Sequence, residues 1–442
     1  MYLIKMKPAW KWGGAYIALA MLLAVFGIPQ AQAIPAYAQQ THMACAACHI
    51  GAFGPQLTPF GRQFKLLGYT LKVGSGLTPK VSAMVVEAFT HTQAPQSQSD
   101  MPAGYNPNDN WSMAQASLFL GGHITDHLGV FAQYTYSQAD GFASWDNAEI
   151  RYARTVNFGS HSAIWGISVN NNPSLSDIYN STPAWGYPYM GSDLAPGAPA
   201  APMIMGGLGQ GVIGAVGYTQ IDGKWYFAAG AYRSLSGAFL NHVNADYPGL
   251  ISRAAPYLRM AYQTNLSASS NLEVGAMYFG AKINPAAVAG QPTDDYKDFG
   301  VDGSYQWFGA NNKHIVTVQG QYVHEKQTLN NTFAAGGSSN LNNTLDAINL
   351  NAAYWYENTY GVTLGALTSD GSADNLLYGG SPDTQGGMVE LDWNPFGKSD
   401  SWHQPLINLR VGLQYTFYSK FNGMTNNASD NNTTYVSFWT VF

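Results

Sequence analysis

From about residue 80 onward the chain is a succession of roughly ten-residue segments in which apolar and polar side chains alternate. The clearest of them sets Ile407, Leu409, Val411, Leu413, Tyr415 and Phe417 against Asn408, Arg410, Gly412, Gln414 and Thr416. A period of two is that of a strand with one face toward an apolar phase and the other toward water. Val316, Val318 and Tyr322 stand in the same way against Thr317, Gln319 and Gln321, and Leu272, Val274, Ala276 and Tyr278 against Glu273 and Met277. Sixteen such segments are predicted, near 80–93, 110–122, 128–137, 145–156, 160–170, 209–220, 223–233, 251–263, 270–283, 295–308, 313–327, 342–357, 360–369, 383–394, 404–418 and 432–442. Their connections alternate between short, as at 125–127, 157–159, 221–223 and 358–359, and long, as at 171–208, 234–250, 328–341 and 370–382. An even strand count with short turns at one end and longer loops at the other is the pattern of a closed bacterial membrane barrel. The predicted fold is therefore all-β: a transmembrane antiparallel β-barrel of about 16 strands over residues 79–442.

Composition agrees with that pattern. Charged residues make up 10% of the chain and aromatics 14%, whereas a soluble domain carries about 25% charge. Beyond the N-terminal region no apolar stretch reaches the roughly 20 residues that a spanning helix needs. Residues 1–38 read as a secretory signal: Lys5, Lys7 and Lys11, an apolar run from Ala15 to Ile28, then small-residue sites at Ala31-Gln32-Ala33 and Ala36-Tyr37-Ala38. Cleavage after Ala38 or after Ala33 removes three lysines and takes the formal charge from −6 to −9, which disfavours nucleic acid as a partner. The last strand ends on Phe442 with Val436 and Phe438 on the same face, similar to the terminal signature read by barrel-assembly machinery. Export and strand parity together predict the bacterial outer membrane, with both chain ends on the periplasmic side.

The candidate chemistry lies ahead of the barrel. Cys45-Ala46-Ala47-Cys48-His49 holds the only two cysteines of the chain and has the spacing of a c-type haem attachment site. The thiols would form thioethers to one covalent haem, and His49 would be the proximal iron ligand. An exported Cys-x-x-Cys could also be a disulfide or a redox dithiol, but the histidine that follows favours haem. Residues 39–78 are predicted to form a haem-bearing plug in the periplasmic mouth of the barrel. They contain one short helix, with Thr58 as N-cap, Pro59 at its first position and Gly68 beyond its end. Such a helix cannot bury a porphyrin alone, so the barrel lumen must supply the other wall. Phe60 and Phe64 share a face suited to pack on the porphyrin, with Leu67 beside them, and Arg62 and Lys65 are candidate partners for its propionates. The competing readings are ordinary plug-to-barrel packing for the aromatic face and a solvated surface for the two cations.

The sixth iron ligand is left open by the sequence. Strand parity turns Met113, Met277 and Met388 toward the lumen and Met84 toward lipid, while His42 and Met43 stand beside the attachment site. Parity also puts Glu149, Arg151, Arg259, Glu273, Asp302, Glu390, Asp392 and Arg410 in the lumen. That is the expected interior of a water-filled or plugged barrel, and no cluster among them has the spacing of a metal site.

The run Met43-Ala44-Cys45-Ala46-Ala47-Cys48-His49, followed by Pro55-Gln56-Leu57-Thr58-Pro59-Phe60-Gly61-Arg62-Gln63-Phe64-Lys65-Leu66-Leu67-Gly68-Tyr69, resembles the fused monohaem cytochrome-porins of iron-oxidising bacteria. Over the barrel the resemblance is architectural, with a modest echo at Trp145-Asp146-Asn147-Ala148-Glu149-Ile150-Arg151-Tyr152. It implies an outer-membrane electron conduit in which Cys45, Cys48 and His49 hold the haem. Electrons would come from extracellular Fe(II) or another reduced donor and pass to a periplasmic c-type cytochrome or other soluble carrier. The alternative is a solute-diffusing porin in which the haem is a structural or sensory plug.

Overall fold

The computed structural model describes residues 36–442, apart from 53, 75–78, 182–187, 289, 399 and 402–406. The expected signal thus lies outside the described residues, except for 36–38.

The strands run β1 Lys80–Thr92, β2 Asn110–His123, β3 Leu128–Ser137, β4 Phe142–Phe158, β5 His161–Asn170, β6 Val212–Ile221, β7 Trp225–Ser234, β8 Leu250–Ile251, β9 Ala255–Ser267, β10 Ser270–Asn284, β11 Asp294–Phe308, β12 His314–Leu329, β13 Asn342–Tyr356, β14 Tyr360–Gly371, β15 Thr384–Trp393, β16 Asn408–Lys420 and β17 Thr433–Val441. Each long strand pairs antiparallel with its sequence neighbours, and β17 returns to β1 through Met84↔Val441 to Thr92↔Thr433. Sixteen long strands therefore close the ring, while two-residue β8 only extends the edge beside β9 by pairing with β10. Closure leaves no open edge, as a lipid environment demands of a sheet.

The outer face is an apolar band, with Leu364, Val301 and Leu258 about half exposed at 56%, 53% and 49%. Aromatic residues border it at both heights. Tyr356, Tyr360 and Trp393 are register neighbours at the short-turn end. Phe89, Trp111 and Phe438 meet toward the other end, with ring centroids 5.4 and 6.3 Å apart. This is the amphipathic girdle of a membrane-spanning barrel. No helix among the described residues is long and apolar enough to cross a membrane.

Two parity expectations are corrected, one at an irregularity of β2 and one on the regular strand β1. The β1–β2 register shifts between Val86 and Glu87, which leaves Ala114 as an extra residue on β2. Met113 then pairs with Glu87, an exposed outward position, so it does not face the lumen. Met84 does, packed with Val86, Ala88 and Trp439. Alternation could not settle this strand because apolar protein fills the lumen opposite it, leaving both its faces apolar. Met277 and Met388 face inward as expected, 6% and 3% exposed.

Two segments fill the barrel. At the short-turn end sits the N-terminal plug, comprising α1 Ala36–Thr41, α2 Cys45–Cys48 and α3 Pro59–Leu66. From the opposite end the described parts of the β5–β6 connection, residues 171–181 and 188–211, fold inward rather than lying outside as a surface loop. They touch the wall around most of its circumference. Ser192 reaches Thr90 at 2.5 Å, Asp177 reaches Arg259 at 3.0 Å and Ser181 reaches Asp302 at 2.5 Å. Met203 N donates to Glu325 at 2.6 Å, Ser369 donates to Ala200 O at 2.9 Å and Tyr418 to Pro196 O at 3.3 Å.

Candidate haem site

The attachment motif is clamped onto α3. Thr58 caps that helix by accepting from Gly61 N at 3.1 Å, and its hydroxyl donates to Ala47 O at 2.6 Å. Thr58 N donates to Cys48 O at 2.9 Å, and His49 forms a bridge with Leu57. Pro59 occupies the first turn and Gly68 follows the helix in the left-handed region, φ +71°, as the sequence predicted. Gly61 is required by contact: a Cβ there would lie 2.2 Å from the Cys48 carbonyl oxygen, so only glycine lets α3 approach the motif so closely.

Barrel side chains hold this unit by its backbone. Asn358 Oδ1 accepts from Gly51 N at 3.0 Å, Asn408 donates to Ala52 O at 2.9 Å and Gln306 to Leu57 O at 2.8 Å. Buried amides and carbonyls of an irregular segment need such partners. The docking begins before the expected plug boundary. Tyr37 stacks on Tyr69 at 5.1 Å and donates to Val130 O at 2.9 Å, and Gln40 bonds Tyr69 O, Leu71 O and His123 N. Residues 36–38, expected in the signal, thus pack with the plug in this chain.

Cys45, Cys48 and His49 border a cavity of about 600 Å³ between the plug and the wall formed by β1–β4 and β17. That volume falls within the roughly 300–1,000 Å³ of small-molecule and cofactor sites. Phe64, Tyr37, Tyr69, Phe119, Phe131 and Trp439 give it an aromatic lining, and three methionines, Met43, Met84 and Met190, also border it. Burial pushes the Cys45 thiol up to about 11 despite a hydrogen bond with Asn408. Burial, then neighbouring Cys45, pushes Cys48 up to about 12. A redox dithiol needs a thiolate with a depressed pKa, whereas both of these are raised. Burial drives His49 down to about 4, with a backbone hydrogen bond at Gly54 opposing and the Arg410 cation adding to the effect. A neutral imidazole is the form that ligates a metal. The two thiols, the neutral histidine, and the size and aromatic character of the space fit a haem.

The other sequence candidates separate. Phe64 is 4% exposed and borders the cavity; Phe60 is half-buried and stands outside that lining. Lys65 borders it too, with Nζ donating to Asp177 O at 2.6 Å and Asn180 Oδ1 at 2.7 Å. An ammonium has three donors, so one remains for a propionate. Arg62 points into the wall, donating to Asn271 at 2.8 Å and lying over Tyr179 at 5.5 Å. Neither cation is the solvated surface group of the plainer reading, since they are 3% and 5% exposed.

The luminal charges form seams. Arg259 binds Asp177, Glu273 and Asp302 at 3.0, 3.3 and 2.6 Å. Arg151 binds Glu149 at 2.7 Å, lies over Tyr218 at 4.9 Å and donates to Ser176 O at 2.8 Å. Glu149 in turn accepts from plug Tyr69 at 2.5 Å. Among the described residues no group of histidine, cysteine and carboxylate side chains is arranged to hold a metal ion. Sequence reasoning missed Tyr189–Met190 at the cavity. The available signal was a long connection carrying Leu175, Ile178, Leu194, Ile204 and Leu208, too apolar for an outer loop.

No protein-family model and no curated protein matches the chain. Among solved structures it is similar to OmpF of Salmonella typhi in complex with daunomycin, with 13% identity over 82% of this chain and 97% of that one and a TM-score of 0.46. It is also similar to the outer membrane channel DcaP of Acinetobacter baumannii, with 12% identity, coverage of 84% and 99%, and a TM-score of 0.45. For the anion-selective porin from Comamonas acidovorans the corresponding values are 10%, 82%, 98% and 0.44. The assignment of the fold rests on the closed sheet itself.

Proposed function

We propose that this chain is an outer-membrane electron conduit, taking electrons from extracellular Fe(II) and delivering them to a periplasmic carrier such as a c-type cytochrome. The observation that carries the reading is the joint placement of Cys45, Cys48 and His49 on a cavity of about 600 Å³ inside a membrane barrel. When bound, a covalent haem there supplies a one-electron centre: each Fe(II) becomes Fe(III) outside and one acceptor molecule is reduced below. The chain's own residues do the rest. Cys45 and Cys48 would fix the group, His49 would ligate it and Lys65 would pair with a propionate. Phe64, Tyr37 and Trp439, which line the cavity, would exclude water from the group and so raise its affinity for an electron relative to an exposed site. The short-turn end would face the periplasm, where the plug is nearest a soluble carrier. Keeping the donor outside has a chemical advantage, because poorly soluble ferric product then never enters the cell.

The plug and the inward connection oppose the solute-porin alternative, because they occupy the space through which solutes would diffuse. The test is rapid mixing of the oxidised holoprotein with Fe(II) while the haem absorption bands are followed. Fast reduction is expected. Absence of reduction across the working pH range, with solute conductance in planar bilayers, would establish the porin instead.

A further inference from the structure

The inward-folded connection has one unexplained property: it delivers a thioether to the haem cavity. Three sulfur donors other than the attachment cysteines border that space, Met43, Met84 and Met190, and His49 is the only histidine doing so among the described residues. Lys65, Tyr37 and Tyr69, which also line the space, are engaged by Asp177 and Asn180, by Val130 and by Glu149, so the donors left for a second axial position include the methionines, soft ligands well suited to haem iron.

The three are not equivalent. Met43 lies two residues before Cys45 on the segment that carries His49, 37% exposed, and would have to pass around the porphyrin edge. Met84 is 5% exposed, packed among Val86, Ala88 and Trp439. Its strand is held on both edges, by Val441 and by Ser117, so its backbone cannot advance toward the cavity. Met190 is half-buried and borders the cavity. Its connection is anchored on both sides: by Ser181 on Asp302, and by Ser192, two residues on, against Thr90. Met190 packs from the edge against the cluster of Met84, Val86, Ala88 and Trp439, and the space beside Gly191 is open.

We infer that Met190 is the distal axial ligand, an assignment that rests on the haem reading above. It gives the connection a purpose that a constriction alone does not need. Methionine raises the potential of a c-type haem relative to a second histidine, and a centre that oxidises Fe(II) needs a high one.

The test uses full-length protein made in a host competent for haem attachment, with Met190→Leu, Met190→His, Met84→Leu and Met43→Leu, each shown to be a folded barrel by heat-modifiable electrophoretic mobility. The readouts are the near-infrared charge-transfer band from thioether sulfur to ferric iron and the midpoint potential. Wild type, Met84→Leu and Met43→Leu are expected to keep the band, Met190→Leu to lose it, and Met190→His to lose it with a lower potential. The band surviving in Met190→Leu, or being lost in Met84→Leu or Met43→Leu instead, overturns the assignment. A wild type that carries covalent haem but lacks the band overturns the assignment while leaving the conduit reading intact. A wild type with no covalent haem removes both.

Discussion

At the scale of single residues, contact distances rather than residue types decide what can change. Gly61 is the sharpest case, because any side chain there collides with the Cys48 carbonyl at 2.2 Å. Gly61→Ala is expected to push α3 off the motif at an overpacking cost of about 1–3 kcal/mol, and to lower covalent haem per barrel, measured by pigment retained after denaturing electrophoresis. Cys48→Ala should abolish or severely reduce that pigment while leaving the barrel folded, since Cys48 makes no wall contact that the sheet requires. Arg259 behaves differently. Removing its guanidinium strands Asp177, Glu273 and Asp302, and breaking a buried ion pair from one side costs about 3–5 kcal/mol. Arg259→Met is expected to lower the denaturant midpoint for unfolding in detergent and to expose the 171–211 connection to protease. An unchanged midpoint would mean that the cluster is hydrated and weak.

At the scale of elements, connections do more than join strands. Asp374, between β14 and β15, accepts from Ser338 Oγ, Ser339 N and Asn343 Nδ2 and so ties its own loop to the one after β12. Burial alone would raise its pKa, but these hydrogen bonds and that from Leu377 outweigh it and hold the carboxyl well below the usual range. The stabilisation is therefore complete above the unfolded carboxylate value of about 4 and is lost only as pH falls below it, through the depressed native value. The two loops are expected to resist pepsin in mild acid and to open only in strong acid, whereas Asp374→Asn should be cut throughout. The N-terminal element carries another expectation. Tyr37 is half-buried between Tyr69, Phe64 and the Val130 carbonyl, so a plug that begins at Gln39 would lose that packing. Signal cleavage after Ala33 preserves it, and intact-mass measurement of the mature protein should find Ile34 first; Gln39 first would show that the plug docks without Tyr37.

At the scale of the whole molecule, a closed sheet supplies the insulation and two unrelated segments supply the filling. Intact protein in planar bilayers is expected to pass far less current than a variant lacking residues 39–72, because the plug's backbone is pinned to the wall by Asn358, Asn408 and Gln306. Equal currents would mean that the connection alone closes the lumen. Much of this architecture was legible in advance. Strand limits agreed to within a few residues, as at 128–137 against β3 Leu128–Ser137 and 270–283 against β10 Ser270–Asn284, and the luminal positions of Arg259, Glu273 and Arg410 followed from parity alone. Parity failed at Met113, where one extra residue in β2 reversed the faces, and at Met84 on regular β1, where both faces are apolar and no polar alternation marks the inner one. Half of the candidate site, His49 with its two cysteines and Phe64, lay within one short stretch and could be read from spacing.

The sequence by itself determined the barrel and the Cys45–His49 spacing, because a strand's period of two and a five-residue motif are local properties that no distant contact can alter. Tertiary structure alone decided that residues 171–181 and 188–211 turn inward, that Met190 joins the motif 141 positions earlier at one cavity, and that Arg62 meets the wall while Lys65 meets the cavity. Those outcomes depend on which buried carbonyls and carboxylates are close enough to repay desolvation of the groups that reach them, and that is known only once the ring has closed.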